Sequence, residues 1–156
     1  MKFTFWGVRG SIPSPGPEVV KYGGNTPCVE LWFDDLLIIL DAGSGIRPLG
    51  ISLMDRFDKI NGHIFITHMH WDHIQGLPFF APLRSSKNTF KIFGCEEADL
   101  PLNQIVADQM KSVYFPVSLN DLNANISFQN LYEEFFSIEG LHVRTTYINH
   151  PGNTLG

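Results

Sequence analysis

The sequence has few charged residues, few basic ones and few cysteines, and each scarcity argues against a class of protein. Charged residues make up 17% of the 156 positions and hydrophobic ones 44%, a balance that favours a packed core over disorder. Lys and Arg total 11 against 16 Asp and Glu, and no basic run occurs, so we expect no nucleic-acid partner. The two cysteines, Cys28 and Cys95, are too few for a disulfide scaffold.

Long apolar segments are also missing. The longest strongly apolar run, Leu36–Leu40, is far shorter than the about 20 residues that a membrane-spanning helix needs. The first residues alternate between apolar and polar, which differs from the apolar core of a signal peptide. We therefore expect a cytoplasmic protein without a membrane partner.

The length suits one domain over residues 1–156. Helical spacing predicts helices over residues 45–57 and 96–112, and Asp72 is expected to start a short helix. A Gly- and Pro-rich loop covers residues 9–27. Alternating or apolar runs predict strands over residues 2–8, 28–33, 36–40, 63–67, 89–93, 126–131, 135–138 and 141–148. The last three of these strands are expected to pair in an antiparallel run. Strands with interspersed helices predict a layered α/β or α+β domain.

A dense group of potential metal ligands follows the strand predicted over residues 63–67. His68 and His70 are two residues apart in an extended segment, so their imidazoles are expected to point the same way. Asp72 and His73 are adjacent, where the chain is expected to turn into a helix, and can reach the other side of the same cavity. Imidazole nitrogen and carboxylate oxygen suit zinc, manganese or iron. Two ligand pairs are typical of hydrolases with two metals about 3.5–4 Å apart.

The segment THMHWDH resembles the T-H-x-H-x-D-H signature of the metallo-β-lactamase superfamily, and IILDAGSG and NHPGNTLG resemble its earlier Asp-bearing and later His-bearing segments. FWGVRGSIPSPG, YGGNTPCVEL and HWDHIQGLPFF are together similar to one bacterial branch, the phosphoribosyl cyclic phosphodiesterase-like hydrolases. The resemblance implies a four-layer αββα sandwich made of two similar halves.

The resemblance also implies roles for individual residues. His68, His70 and His150 are expected to hold the first metal, and Asp72 and His73 belong to the second. Asp72 is further expected to act in catalysis, by orienting the attacking water or moving its proton.

Four more residues have roles for which turn chemistry is an equally simple explanation. Asp41 is expected to support the site by accepting ligand N–H groups. Arg9, Asn25 and Thr26 lie in loops that this branch places near the cavity, where they are expected to contact a phosphate or sugar. The other histidines, His63 and His142, are expected to be structural or exposed.

The sequence departs from the family after His150. No Asp or Glu follows that residue, so the carboxylate that bridges both metals and a final histidine are missing. One metal site is therefore expected, and a second only if ligands come from elsewhere. We expect a sandwich that is incomplete in its second half and truncated at its C-terminal end. A half-domain that self-associates through its exposed face and a degenerate relative are the alternatives.

These features predict a metal-dependent hydrolase, most simply a phosphodiesterase that acts on a small cyclic or ribosyl phosphate. Zinc is the expected metal, with manganese or iron as alternatives. Hydrolysis of a thioester or lactone at the same site and a non-catalytic metal-binding module are the competing hypotheses.

Overall fold

A six-stranded mixed sheet forms the frame of the molecule in a computed structural model that describes residues 1–156. The strands follow chain order across the sheet, and the first two pairs are antiparallel whereas the other three are parallel. They are β1 (Lys2–Gly7), β2 (Cys28–Phe33), β3 (Leu36–Leu40), β4 (Asn61–Phe65), β5 (Thr89–Gly94) and β6 (Asn125–Asn130). Because β3 to β6 are parallel, their carboxyl ends lie along one edge of the sheet.

Three α-helices accompany the sheet: α1 (Ile46–Arg56), α2 (Trp71–Ile74) and α3 (Leu102–Gln109). Leu53 of α1 and Val106 of α3 are fully buried in one core with Ile64 and Ile92 of the sheet. Each such side chain contributes about 1.5–3 kcal/mol through its burial. No helix has the length and apolar character that crossing a membrane requires.

The opposite face of the sheet carries the next residues along the same strands, as the strand period of two requires. There the rings of Phe65 and Phe93 stack 4.6 Å apart, and Phe93 also contacts Phe136. Phe136 belongs to an antiparallel hairpin, β7 (Phe135–Ile138) and β8 (Leu141–Arg144), which is the second sheet. The predicted layered α/β fold is confirmed, and the second sheet consists of this hairpin.

Several predicted boundaries need correction. The helix expected over residues 96–112 begins only at Leu102, because Pro101 occupies the N-cap position. The strand expected over residues 63–67 is β4 (Asn61–Phe65), so the segment that follows it is free to form loops. The strand expected over residues 126–131 is β6, and it pairs parallel to β5 rather than in an antiparallel run. The long connection through α3 returns the chain to the same end of the sheet, which a parallel pair requires.

A buried carboxylate ties α1 to the sheet. Glu30 of β2 is 3% exposed and accepts hydrogen bonds from the indoles of Trp6 and Trp32, at 2.9 and 2.7 Å. The guanidinium of Arg56 at the end of α1 lies 2.6 Å from its Oε1. Burial alone would raise the pKa of Glu30, but these three donors together lower it below its ordinary value.

We predict that Glu30→Gln lowers the free energy of unfolding at pH 7 and flattens its dependence on acidic pH. A carboxyl group whose pKa falls on folding stabilises the fold above its unfolded pKa, about 4.3, and loses that contribution as pH falls through the folded pKa. Urea unfolding of both proteins between pH 3 and pH 7 measures the effect. An unfolding free energy that declines with acid equally in both proteins would contradict the assignment.

Candidate metal centre

The site lies at the carboxyl edge of the parallel strands, where ligands of open α/β sheets commonly bind. Asp41 directly follows β3, and residues 67–73 follow β4 and lead into α2. A Cβ atom at Gly43 would collide with the carbonyl oxygen of Asp72, so this glycine lets the turn after β3 approach α2 closely.

Three histidines converge at this edge. The ligand nitrogens of His68, His70 and His150 all lie within 4.8 Å of one another, and no other group of three His, Cys, Asp or Glu does so. Nδ1 of His70 lies 3.0 Å from Nε2 of His68 and 3.3 Å from Nε2 of His150. His68 is buried, whereas the other two are exposed, so the cluster opens to solvent on one side.

The segment that carries His150 is tied back to the same edge. The backbone N–H of Leu155 donates to the carbonyl of Thr67 at 2.9 Å, directly beside His68. Tyr147 and Leu155 also form an isolated antiparallel bridge. The structure thus brings together residues that are 80 positions apart in sequence.

The chemistry of this donor set fits one divalent metal. Imidazole nitrogens bound tetrahedrally to zinc at about 2.0–2.1 Å would be about 3.3–3.4 Å apart. The observed separations of 3.0 and 3.3 Å are close to that value. Three neutral imidazoles facing one another have few protons to share, whereas a cation would use all three lone pairs.

A short chain of hydrogen bonds leads from Asp41 to His68. The backbone N–H of Thr67 donates to Oδ1 of Asp41 at 2.9 Å, and the Thr67 hydroxyl lies 3.0 Å from the same oxygen. That hydroxyl also lies 3.0 Å from Nδ1 of His68. Because the hydroxyl has one proton to give to the carboxylate, it accepts from an Nδ1–H of His68. This tautomer leaves Nε2 free as the metal-facing atom.

Burial also holds His68 in its neutral form. Its pKa is lowered to about 4, first by burial and then by the neighbouring His73 and His70. An imidazole must be neutral to bind a metal, so this environment favours the ligand form at neutral pH. Thr67 was missed as a site residue by sequence reasoning, although it is the first letter of the motif.

Asp72 and His73 lie beside the three histidines. Nδ1 of His73 is 2.8 Å from Oδ2 of Asp41, and its Nε2 is 3.6 Å from Oδ2 of Asp72. Burial would lower the pKa of His73, but Asp41 and then Asp72 raise it above its ordinary value. Asp41 thus lies against Nδ1 of His73, and its supporting role at a metal site stays a prediction. These residues supply only two ligand side chains for a second metal.

The loop residues divide into two groups. Asn25 and Thr26 take part in a network with Ser44: the Ser44 N–H donates to Oγ1 of Thr26 at 2.7 Å, and its hydroxyl donates to Oδ1 of Asn25 at 3.0 Å. Thr26 is fully buried, so a substrate contact by its side chain would require this packing to open.

Arg9 belongs to a loop that contacts Asp72 through its backbone. Its Nε donates to the carbonyl of Ile12, and the intervening Ser11 N–H donates to Oδ2 of Asp72 at 2.8 Å. Ser11 has a positive φ of 71°, and no local pattern in the sequence predicted this backbone contact. The loop therefore forms one wall of the site, with Arg9 in it.

The sequence is similar to curated ribonucleases. Ribonuclease Z of Methanococcus maripaludis is 30% identical over 142 residues, covering 86% of this chain and 44% of that protein. Ribonuclease Z of Staphylococcus carnosus is 30% identical over 163 residues, covering 100% of this chain and 48% of that protein. The chain thus spans about half the length of the curated relatives that it matches. No family model matches the sequence.

Two solved structures share the fold. The short form of human tRNase Z has a TM-score of 0.62 and 22% identity, covering 99% of this chain and 63% of that one. A diphosphatase from the PhnP family has a TM-score of 0.56 and 20% identity, covering 77% of this chain and 43% of that one. At these identities the likeness concerns the fold.

The expectation that nucleic acid is not a partner is contradicted by the ribonuclease Z relatives. That expectation rested on a net charge of −5 and the lack of a basic run. Such a composition argues against a broad phosphate-neutralising surface on these residues. It does not argue against chemistry on a single phosphodiester, because a metal bound at the site would supply the positive charge there.

We predict that His150→Ala removes zinc from the protein. Losing one of three imidazoles should weaken zinc binding by more than the about 10–100-fold that loss of a supporting group costs. Elemental analysis after gel filtration measures the zinc content, and His142→Ala is the matched control. His142 is an exposed histidine on β8 whose Nδ1 lies 2.8 Å from the Ser137 hydroxyl, outside the cluster. Equal zinc content in the two variants would refute the role of His150.

We predict that Thr67→Val weakens zinc binding by about 10–100-fold, because the isosteric valine cannot accept the Nδ1–H of His68. Thr67→Ser keeps the hydroxyl and should retain an affinity close to that of the unmodified protein. Competition with a chromogenic chelator measures both constants. If valine and serine had the same effect, the tautomer argument would be wrong.

Proposed function

The chain belongs to the metallo-β-lactamase-fold superfamily, and we propose that it forms the metal-binding part of a metal-dependent phosphodiesterase. The convergence of His68, His70 and His150 is the observation that carries the proposal. These three residues would hold one divalent metal, for which zinc is the best fit to imidazole nitrogens at this spacing. Asp72 and His73 would start a second site, which needs further ligands.

The residues around the cluster suit hydrolysis. When bound, the metal would supply Lewis-acid chemistry, which brings the pKa of water to about 7. The Asp72 carboxylate lies beside the histidines, and the Ser11 N–H donates a hydrogen bond to its Oδ2. We assign Asp72 as the group that orients the attacking water and accepts its proton. His73, whose Nδ1 lies 2.8 Å from Oδ2 of Asp41, has its Nε2 3.6 Å from that carboxylate.

RNA is the proposed substrate class. The relatives that align with 86% and 100% of this chain are named ribonuclease Z, and they are phosphodiester-cleaving enzymes by that name. Thioester or lactone hydrolysis receives no comparable support. These relatives are about twice as long as the matched chain.

A small cyclic or ribosyl phosphate diester is the second candidate. The loop that contains Arg9 and Ser11 closes on Asp72, which favours a compact phosphate-bearing ligand on this side of the site. The guanidinium of Arg9 would pair with a phosphate or sugar oxygen. Both candidates use the same phosphodiester chemistry and differ only in the size of the substrate.

We predict that the zinc-loaded protein hydrolyses bis(4-nitrophenyl) phosphate in a chelator-sensitive reaction. Asp72→Asn should lower kcat by about 10²–10⁴-fold, the range for loss of a general acid–base group, while the zinc content is retained. Asp34→Asn is the matched control, because Asp34 occupies the β2–β3 turn with a φ of 52° that asparagine also adopts.

The same preparation is offered a single-stranded oligoribonucleotide, a cyclic ribosyl phosphate and a lactone. Cleavage of the oligoribonucleotide supports the leading candidate, and cleavage of only the cyclic ester supports the second. Turnover of the lactone with no phosphodiester cleaved would contradict both.

A further inference from the structure

A groove of about 510 Å³ is lined by Met69 and Trp71, which alternate along the chain with His68 and His70, and by residues of α3 and the loop after it. One wall comes from the segment around α2, and the other from α3 and the loop after it. Trp71 lies between His70 and Asp72 in the sequence, so the groove begins next to two of the site residues. The side chains that line it are mainly apolar or aromatic and include Met69, Trp71, Phe79, Ile105, Tyr114 and Phe115.

The aromatic rings of this groove are unusually open to solvent. Trp71 is 79% exposed, Tyr114 is 76% exposed and Phe79 is 51% exposed. The ring of Phe79 packs edge-to-face on that of Phe115, with 5.3 Å between the ring centroids. Exposed aromatic side chains gathered around one ligand-sized groove are typical of a surface on which planar rings stack.

A side chain with an unsatisfied hydrogen-bond donor lines the same groove. Only two buried side-chain polar atoms in the structure lack a partner, and one of them is Nε2 of Gln109, a groove residue. A buried amide without a partner is costly, so its presence needs an explanation. A carboxamide offers both a donor and an acceptor, and a rotation of the Gln109 side chain toward the groove would present this pair to the edge of a nucleobase.

We propose that this groove binds the nucleobase adjacent to the scissile phosphate, with Trp71 stacking on the base and Gln109 bonding to its edge. The inference rests on the proposed phosphodiesterase function and specifies a nucleotide-bearing substrate for it. A neutral planar base needs no basic surface, which agrees with a chain of net charge −5. The base would hold the substrate while its phosphate lies at the histidines.

The size of the groove favours a ligand over a protein partner. Pockets for small molecules have volumes of about 300–1,000 Å³, and this groove falls within that range. A stable protein interface instead buries about 800 Å² on each partner over a much broader surface. The mixture of aromatic rings and one free amide also matches a base better than an apolar peptide.

The test compares two ligands that share a phosphorylated ribose and differ only in the base. Calorimetry measures the dissociation constants of adenosine 5′-monophosphate and ribose 5-phosphate with the zinc-loaded protein. We expect the base-bearing ligand to bind about 10-fold more tightly or better, and Trp71→Ala to abolish that preference. Trp71→Phe should keep most of it. Phe135→Ala is the control, because Phe135 is 68% exposed on β7 and lies outside the groove.

Each outcome separates this inference from the proposed function. A base preference that survives in Trp71→Ala, or no preference in the unmodified protein, would overturn the inference even if phosphodiesters are hydrolysed. A preference that depends on Trp71, in a protein that cleaves no phosphodiester, would support base binding in the groove and contradict the proposed phosphodiesterase activity. Self-association in sedimentation that disappears in Trp71→Ala would show that the groove buries protein surface, and would also overturn the inference.

Discussion

The carboxylate of Asp41 accepts hydrogen bonds at the point where β3 and β4 end, and the arrangement of the histidines depends on it. Its Oδ1 accepts from the N–H of Thr67 and its Oδ2 lies 2.8 Å from Nδ1 of His73. The Thr67 hydroxyl, held by the same carboxylate, selects the tautomer of His68. One buried side chain with a positive φ thereby orients two of the imidazoles.

The sheet makes this arrangement rigid. Alternate residues of β4 and β5 pack into the helical core on one side and against the β7–β8 hairpin on the other. The strands therefore cannot slip by one residue without moving apolar side chains to the wrong face. The fixed register of the strands sets where the loops at the carboxyl edge begin. The His150 segment is attached to these loops by the hydrogen bond from the Leu155 N–H to the Thr67 carbonyl.

Local patterns in the sequence predicted most of the fold and part of the site. The neighbouring ligands in residues 68–73 could be found because they lie within one loop, and the strands over residues 28–33 and 36–40 followed from two apolar or alternating runs. The direction of β6 could not be found, because periodicity identifies a strand but not its pairing. The contact of Ser11 with Asp72 spans 61 residues and involves a backbone N–H, which no side-chain pattern encodes.

His150 was found only through a family resemblance, and it completes the cluster on which the account rests. Zinc K-edge X-ray absorption of the zinc-loaded protein tests that cluster most directly. The account predicts nitrogen or oxygen scatterers at about 2.0–2.1 Å with the outer-shell signal of three imidazoles. A sulfur shell at about 2.3 Å, or the signal of fewer than two imidazoles, would contradict it.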